Sequence, residues 1–586
     1  MNEVGPGPGA RGQSVRPHMR RLLASWGSLV LLLAGCSAGG DSASRPLSGA
    51  DTVGRLALKQ PLTVPESSGY RRTSSHAEVL AFLDAVEAAG DPRVVRTTFG
   101  TTPEGRELPL VVVADPPVAD AAAALAAGKP RVLVMANIHA GEVEGKEACL
   151  ELLREVVWGT GGARGAEPYP VGHVVLLLAP IYNADGNDRF GPKNRPLQNG
   201  PALNGQRPTA AGLDLNRDYL KLEAPESRAL VGLMQAWDPQ VVVDLHTTDG
   251  SAHGYELTYA PPLSPSAHPL LLDTLNRDWL PELRARMRER WSFEVFDYGN
   301  FMTSTGEEAE FKDDPDAVSG WRSFDHRPRF GNNYVGLRNR LAILSEAYSY
   351  ADFPVRIAAS KAFIAEILRM SAERGEQIEA LCRRLDEETA AQAAAGVLLQ
   401  ATSAELVSRG VEPLLLRGVE KRPDIETGEE VQVAAGPRTT VEVPIFVSFE
   451  ARAAKPVPRA YLFPPERGDI VGLLDAHGIR YEVLGETYTH LVQTFLLFDP
   501  GPLVEPFPLT GGHRPRQVTW DVHEGVRKLP AGTVRVPMDQ PLARVAFHLL
   551  DPESDDGLVV WNFWDEVINQ GRGAELPVWA EFDADH

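Results

Sequence analysis

Apolar residues follow two rhythms in the first part of the chain. Val79, Leu80, Phe82, Leu83 and Val86 recur at helical spacing within Ala77 to Ala89, behind Ser74 and Ser75, residues suited to cap a helix start. Two short strands are predicted at Val94–Phe99 and Leu108–Val113, joined by the turn-forming Thr102-Pro103-Glu104-Gly105. The chain then repeats one device four times: a continuous apolar strand ending in polar, potentially reactive residues. Val132–Ile138 runs into His139, and Val174–Ala179 into Asn183-Ala184-Asp185-Gly186. Val241–Val243 runs into Asp244-Leu245-His246, and Leu341–Leu344 into Ser345-Glu346. Helical patterns lie between them at Val143–Val157, Pro225–Trp237 and Pro265–Arg288, with Pro354–Met370 after the last. Strands without alternation are covered on both faces. The fold class is therefore α/β, a mixed, largely parallel sheet with helices on both faces. Ligands bind outside the carboxyl ends of such strands, where the His, Asp and Glu residues gather here.

The texture changes near Val397, beyond a long polar helix predicted over Gln377–Ala393. Strands are expected at Val431–Val433, Thr439–Phe449, Arg459–Phe463 and His490–Phe498. A short helix at Asp469–His477, closed by Gly478, precedes a strand at Ile479–Val483, and Leu542–Leu550 forms another helix. A first domain over residues 69–396 is thus expected to be followed by an accessory β-rich α/β domain, 397–586, that packs on or shades those strand ends. The run Asp551-Pro552-Glu553-Ser554-Asp555-Asp556-Gly557 reads as an acidic surface loop in preference to a calcium loop.

The chain has 586 residues, 58 Lys+Arg against 79 Asp+Glu, a net charge of −21 and three cysteines. The acidic balance argues against a nucleic-acid partner. Three cysteines make neither a disulfide framework nor a four-thiolate metal site, and Cys149 and Cys382 are expected to be buried apolar residues. Met19-Arg20-Arg21, the apolar Leu22–Leu33 and then Leu33-Ala34-Gly35-Cys36 form a secretory signal whose end resembles a bacterial lipobox. The expectation is a signal peptide over residues 1–35, with Met19 an alternative start. Lipidation of Cys36 would anchor the protein to a membrane, through a Gly/Ser/Ala/Pro-rich tether, residues 36–68. Ser37 after the cysteine resembles outer-membrane sorting. That places the protein in the bacterial cell envelope, facing the periplasm or the exterior.

His139-Ala140-Gly141-Glu142 puts two ligand types three apart on a turn leaving a strand, and His246 ends another strand. Together they form a His2Glu set that suits zinc and leaves a fourth position for water. Gly141 to Glu147 superficially suggests a phosphate loop, but its glycines have the wrong spacing and its carboxylates would repel phosphate. No Gly-x-Ser-x-Gly elbow or His-Glu-x-x-His helix is present.

The ordered set His139-x-x-Glu142, Asn183-Ala184-Asp185-Gly186, Asp214-Leu215-Asn216-Arg217, Asp244-Leu245-His246 and Glu346 resembles the zinc carboxypeptidase family, the carboxypeptidase A-like metallopeptidases. The resemblance spans roughly Tyr70 to Met370. It implies one Zn2+ per chain held by His139, Glu142 and His246, with Asp214 orienting the first histidine. It further implies Glu346 as the general base that takes a proton from zinc-bound water. Arg207 would stabilise the oxyanion, although Arg189 and Arg195 precede it in the same loop and either could reach inward. Asn216 and Arg217 would clamp a substrate carboxylate. The family's mobile tyrosine has no clear counterpart: Phe324 stands near the expected distance, and Tyr334 is the candidate to line the pocket. The implied activity is hydrolysis of the peptide bond next to a free C-terminal carboxylate. The alternatives are a zinc amidase of N-acyl amino acids or cell-wall peptides, and an inactive binding lipoprotein on the same fold.

Overall fold

The computed structural model describes residues 59–160, 168–304, 318–502 and 504–582. Cys36 and the signal segment lie outside the described residues. The described residues all belong to one compact unit, Gly49–His586. The first predicted helix forms at His76–Glu87, where Ser75 Oγ accepts from the Glu78 amide and the Glu78 carboxylate accepts back from the Ser75 amide. This reciprocal cap satisfies two amides that a bare helix start would leave unpaired.

The strands of the first part are β1 (Val94–Thr101), β2 (Glu107–Val113), β3 (Arg131–Ala136), β4 (Val175–Ala179) and β5 (Val241–Thr247). They are followed by β6 (Leu257–Ala260), β7 (Val295–Asp297), β8 (Asn300–Met302), β9 (Gly320–Arg322) and β10 (Leu341–Ala347). Eight of them form the main sheet in the order β1-β2-β4-β3-β5-β10-β6-β7. Its centre, β4-β3-β5-β10, is parallel, with antiparallel pairings outside it at β2 and β6. Successive residues of β3 serve opposite faces: Val132 and Val134 join one core, Leu133 and Met135 the other. Helices Glu144–Trp158 and Phe353–Glu373 cover the first face; Pro225–Trp237 and Gly331–Leu337 cover the second. Each fully buried Val or Leu contributes about 1.5–3 kcal/mol, so the two cores fix the strand ends that carry the site. The helix expected from Pro265 instead starts at Pro269, behind His268, whose ring accepts the Leu270 amide.

β11 (Leu399–Pro423) and β12 (Glu430–Pro456) form a long antiparallel ribbon, and β12 continues into β9 and β8. The sequence pattern divided β12 and missed β11. Much of the ribbon is solvated, so it lacks the period-2 apolar signature of a half-buried strand. β13 (Ala460–Phe463), β14 (Glu482–Val483), β15 (Tyr488–Asp499), β16 (Thr519–Leu529), β17 (Val534–Pro537) and β18 (Glu575–Glu581) build a third sheet, ordered β14-β17-β13-β18-β15-β16. Helix Gly468–His477 ends at Gly478, whose φ of +75° lies in the left-handed region, and a further helix spans Ala543–Leu550. Tyr334, Phe463, Leu474 and Phe547 belong to a single core with the second face of the main sheet.

The acidic run near residue 551 corrects its expected surface position. Asp551, Asp555 and Asp556 are buried, with the Tyr461 hydroxyl, the His326 ring and the Arg329 guanidinium as partners. Cys149 and Cys382 are buried free thiols. Among the described residues, no helix is long and apolar enough to cross a membrane.

Candidate active site

The chain leaves β3 through Asn137 at φ +65°, a conformation that asparagine tolerates better than most residues. The Asn137 side-chain amide donates to the carbonyls of Ala140 and Glu142, and the Glu142 amide donates to His139 O at 2.9 Å. This tight turn aims His139 and Glu142 at one point. Asn183 braces it from outside, donating to the carbonyls of Ile138 and Arg207 and accepting from the Gly186 amide. A Cβ at position 186 would lie 2.7 Å from the Pro208 carbonyl oxygen, so only glycine fits. The Asn183-Ala184-Asp185-Gly186 motif thus ties the His139 turn to the loop carrying Arg207.

β5 brings His246 to the same point. His139 Nδ1 lies 2.9 Å from Glu142 Oε1, and His246 Nδ1 lies 3.0 Å from Glu142 Oε2. One ligand atom from each of the three buried residues lies within 4.8 Å of the others. The opposite ring nitrogens face further carboxylates: His139 Nε2 is 3.1 Å from Asp214 Oδ1, and His246 Nε2 is 2.9 Å from Asp244 Oδ2. Where Nε2 carries the ring proton beside its aspartate, Nδ1 turns a lone pair toward the Glu142 carboxylate. Two such lone pairs facing a carboxylate are favourable when positive charge, protons or a metal ion, lies between them. Burial lowers the His246 pKa, yet Asp244 and Glu142 outweigh it and raise the imidazole well above its ordinary value. The centre demands positive charge, and two imidazoles with one carboxylate suit zinc.

Asp214 is also the N-cap of a short turn, accepting the Asn216 amide at 2.8 Å on the oxygen that faces His139. Its other oxygen accepts from Arg207 Nε at 2.9 Å. Burial alone would raise its pKa; His139 and Arg207 reverse that and hold it far below the carboxylate range. Arg195 reaches inward from the same long loop. Its Nη1 is 3.1 Å from Glu142 Oε1, and its Nη2 donates to the carbonyls of Thr247 and Thr248. Arg189 pairs instead with Glu104, away from the centre.

Glu346 ends β10 beside His246, and its Oε2 is buried without a hydrogen-bond partner. Burial, with the charges of Glu142 and Asp249, raises its pKa well above the carboxylate range against the pull of His246 and Arg195. Arg217 lies over the Phe330 ring, 4.1 Å from its centroid, and donates to Asn216 O at 2.7 Å. Asn216 Oδ1 accepts from the Gly331 amide at 2.9 Å. His139, Glu142, Arg195, Arg207, Asp214, Asn216, Arg217, His246 and Glu346 all line one cleft of about 410 Å³.

Tyr334 corrects the expectation that it lines this cleft. It is fully buried, and its hydroxyl pairs with His477 Nδ1 at 2.8 Å and accepts from Arg338. It sits on the helix Gly331–Leu337 facing the core, and the aromatic lining comes from Tyr298, Phe324, Phe330 and Phe507. Two contributions lay outside the roles assigned from the sequence. Asp244 lies two residues before His246 on one strand, so period-2 alternation put both on the same face and was the available signal. Nothing in the pattern marked Phe507-Pro508-Leu509, which reaches the cleft from the far end of the chain.

Residues 79–301 match the family model described as zinc carboxypeptidase. A carboxypeptidase 2 of Trichophyton tonsurans is 23% identical over 482 residues, covering 77% of this chain and 76% of the relative. Carboxypeptidase D of Mus musculus is 31% identical over 172 residues, 25% of this chain and 12% of the mouse protein. Among solved structures, a metallo-carboxypeptidase from Burkholderia cenocepacia aligns with a TM-score of 0.35 and 17% identity, covering 51% of this chain and 69% of that one.

Proposed function

We propose that this metallopeptidase, whose residues 79–301 match the zinc carboxypeptidase model, hydrolyses the peptide bond next to a free C-terminal carboxylate. The observation that carries this reading is the meeting, in one cleft, of a His2Glu ligand set, a carboxylate outside that set and an Asn-Arg pair. His139, Glu142 and His246 would hold the zinc. Bound there, the metal would polarise the scissile carbonyl and lower the pKa of water. Glu346, with its unpartnered Oε2 and raised affinity for protons, takes the proton of the attacking water and returns it to the leaving amine. Arg207, held by Asp214, stabilises the charge that develops on the carbonyl oxygen. Arg217 receives the substrate carboxylate on its planar fork, with Phe330 beneath it and Asn216 fixed by the Gly331 amide.

Lipidation at Cys36 and a place in the bacterial envelope belong to the same reading, supported by the Leu33-Ala34-Gly35-Cys36 sequence. The deciding experiment treats the purified protein with a chelator, restores zinc, and compares peptides bearing a free C-terminus with their amidated forms. The expected result is zinc-restorable cleavage of the free acids alone. Equal cleavage of both would replace the carboxypeptidase reading with the amidase one, and no stoichiometric zinc would favour the binding protein.

A further inference from the structure

The strands that carry catalytic residues at their carboxyl ends border a second cavity at their amino ends. β5 gives His246 to the cleft and Val242 to this cavity, while the chain entering β10 gives it Arg338 and Arg340. The cavity holds about 400 Å³, within the range of small-molecule sites, and shares no lining residue with the catalytic cleft. Its floor is apolar. Met234, Val242 and Val335 are at most 4% exposed and belong to the core under the second face of the sheet. Leu542, half-buried, extends that apolar lining. The wall segment around Arg480 is tied down: Gln540 Oε1 accepts the Arg480 amide at 2.8 Å, and Gln540 Nε2 donates back to Arg480 O at 3.1 Å.

Three arginines and two aspartates line this cavity, and both aspartates are already engaged. Asp386 accepts from Arg340 Nη1 at 3.1 Å, Arg340 Nη2 at 3.0 Å and Asn339 Nδ2 at 3.0 Å. Asp238 accepts from Arg340 Nε at 2.9 Å and Arg131 Nη2 at 3.3 Å. Arg480 pairs with Asp539, but both side chains are more than half exposed, so water screens that pair. Arg338 has no carboxylate partner among the described residues. Its Nη1 donates to the Tyr334 hydroxyl at 3.2 Å and to His477 O at 3.0 Å. Those two bonds orient the guanidinium and leave Nε and Nη2 as donors for an incoming acceptor. A positioned guanidinium beside a dry floor suits an anion that carries an apolar body. Inorganic phosphate would meet the arginines and leave the floor unfilled.

We propose that this cavity is a second binding site, for a small amphipathic monocarboxylate, with the carboxylate on Arg338 and the apolar body against Met234, Val242, Val335 and Leu542. The test titrates the full chain with zinc in a calorimeter, using hexanoate, hexanamide and acetate as probes. Hexanoate should saturate one site and bind at least roughly tenfold more tightly than either control, because only it offers both a charge for Arg338 and methylenes for the floor. Arg338→Gln should weaken hexanoate by roughly tenfold or more, as the loss of charge-assisted hydrogen bonds predicts. Leu542→Trp, which fills the cavity and leaves every arginine in place, should abolish binding, and it decides the matter if Arg338→Gln fails to fold. Arg217→Gln should leave binding intact, since Arg217 is the group of the catalytic cleft placed to receive a carboxylate. Binding lost in Arg217→Gln but kept in Leu542→Trp would move the ligand to the catalytic cleft and overturn the proposal. Hexanamide or acetate bound as tightly as hexanoate would overturn it too, as would hexanoate that never saturates.

Discussion

Glu346 and His246 are direct register partners on the adjacent parallel strands β10 and β5. The sheet itself therefore sets a carboxylate beside a ligand imidazole, with no flexible loop between them. If Glu346 moves protons and takes no part in holding the ion, Glu346→Gln keeps its zinc and loses turnover by about 10²–10⁴-fold. Metal analysis paired with a peptide assay checks this. Wild-type turnover in the variant would remove Glu346 from the reaction, and loss of zinc would make it a ligand.

The two aspartates behind the histidines should tune the ion without touching it. Asp244 Oδ2 is 2.9 Å from His246 Nε2, as Asp214 Oδ1 is 3.1 Å from His139 Nε2. Such outer partners fix the ring tautomer, and their loss typically costs about 10–100-fold in metal affinity. Asp244→Ala is expected to weaken zinc binding to that extent in a competition titration against a chromophoric chelator, with the circular dichroism spectrum unchanged.

The apolar runs ending in His139, His246 and Glu346 disclosed the central strands and the candidate ligand residues at their ends, because strands buried on both faces carry uninterrupted hydrophobic residues. Asp214 and Arg207 were legible through the family resemblance. Tyr334 misled, since an aromatic before the base in sequence can equally face the core, and its partner His477 lies in a distant helix that no local pattern connects to it. Arg195 was one of several arginines on one loop, and only three-dimensional closure selects it. Phe507 and the acidic loop lie far from the motif residues in the chain. Long-range packing of that kind leaves no periodic trace.

Asp556 should matter for both stability and binding. It is fully buried and accepts from Arg329 N and Nε, each at 2.7 Å, while Trp561 Nε1 donates to it at 3.1 Å. Removing one member of a buried ion pair leaves the other uncompensated, at about 3–5 kcal/mol. Asp556→Ala is expected to lower the denaturation midpoint accordingly. Because Phe330 and Gly331 follow Arg329 and support Arg217 and Asn216, the folded fraction should show a raised KM for free-acid peptides with kcat less affected. A lower midpoint with an unchanged KM would confine Asp556 to a structural role.

Acid should destabilise the fold through three interior histidines. Burial pushes the imidazoles of His253 and His477 down to about 3 and that of His548 to about 4. In the unfolded chain the same rings titrate near 6.5. Between those values the unfolded state binds more protons than the native state, so stability rises with pH and falls on acidification. The contribution is fully present above about pH 6.5 and declines below it, by up to about 1.36 kcal/mol per pH unit for each histidine. His253 packs among the rings of Tyr255, Trp321 and Tyr348, and its Nε2 has no hydrogen-bond partner, so phenylalanine keeps the packing and loses only the long 3.3 Å bond that Nδ1 accepts from the Tyr255 amide. Urea unfolding at pH 5.0, 5.5 and 6.0, where these histidines separate from most carboxylates, should give a shallower pH slope for His253→Phe by up to that amount. An identical slope in the two proteins would mean that His253 takes up its proton in the native state as readily as in the unfolded one.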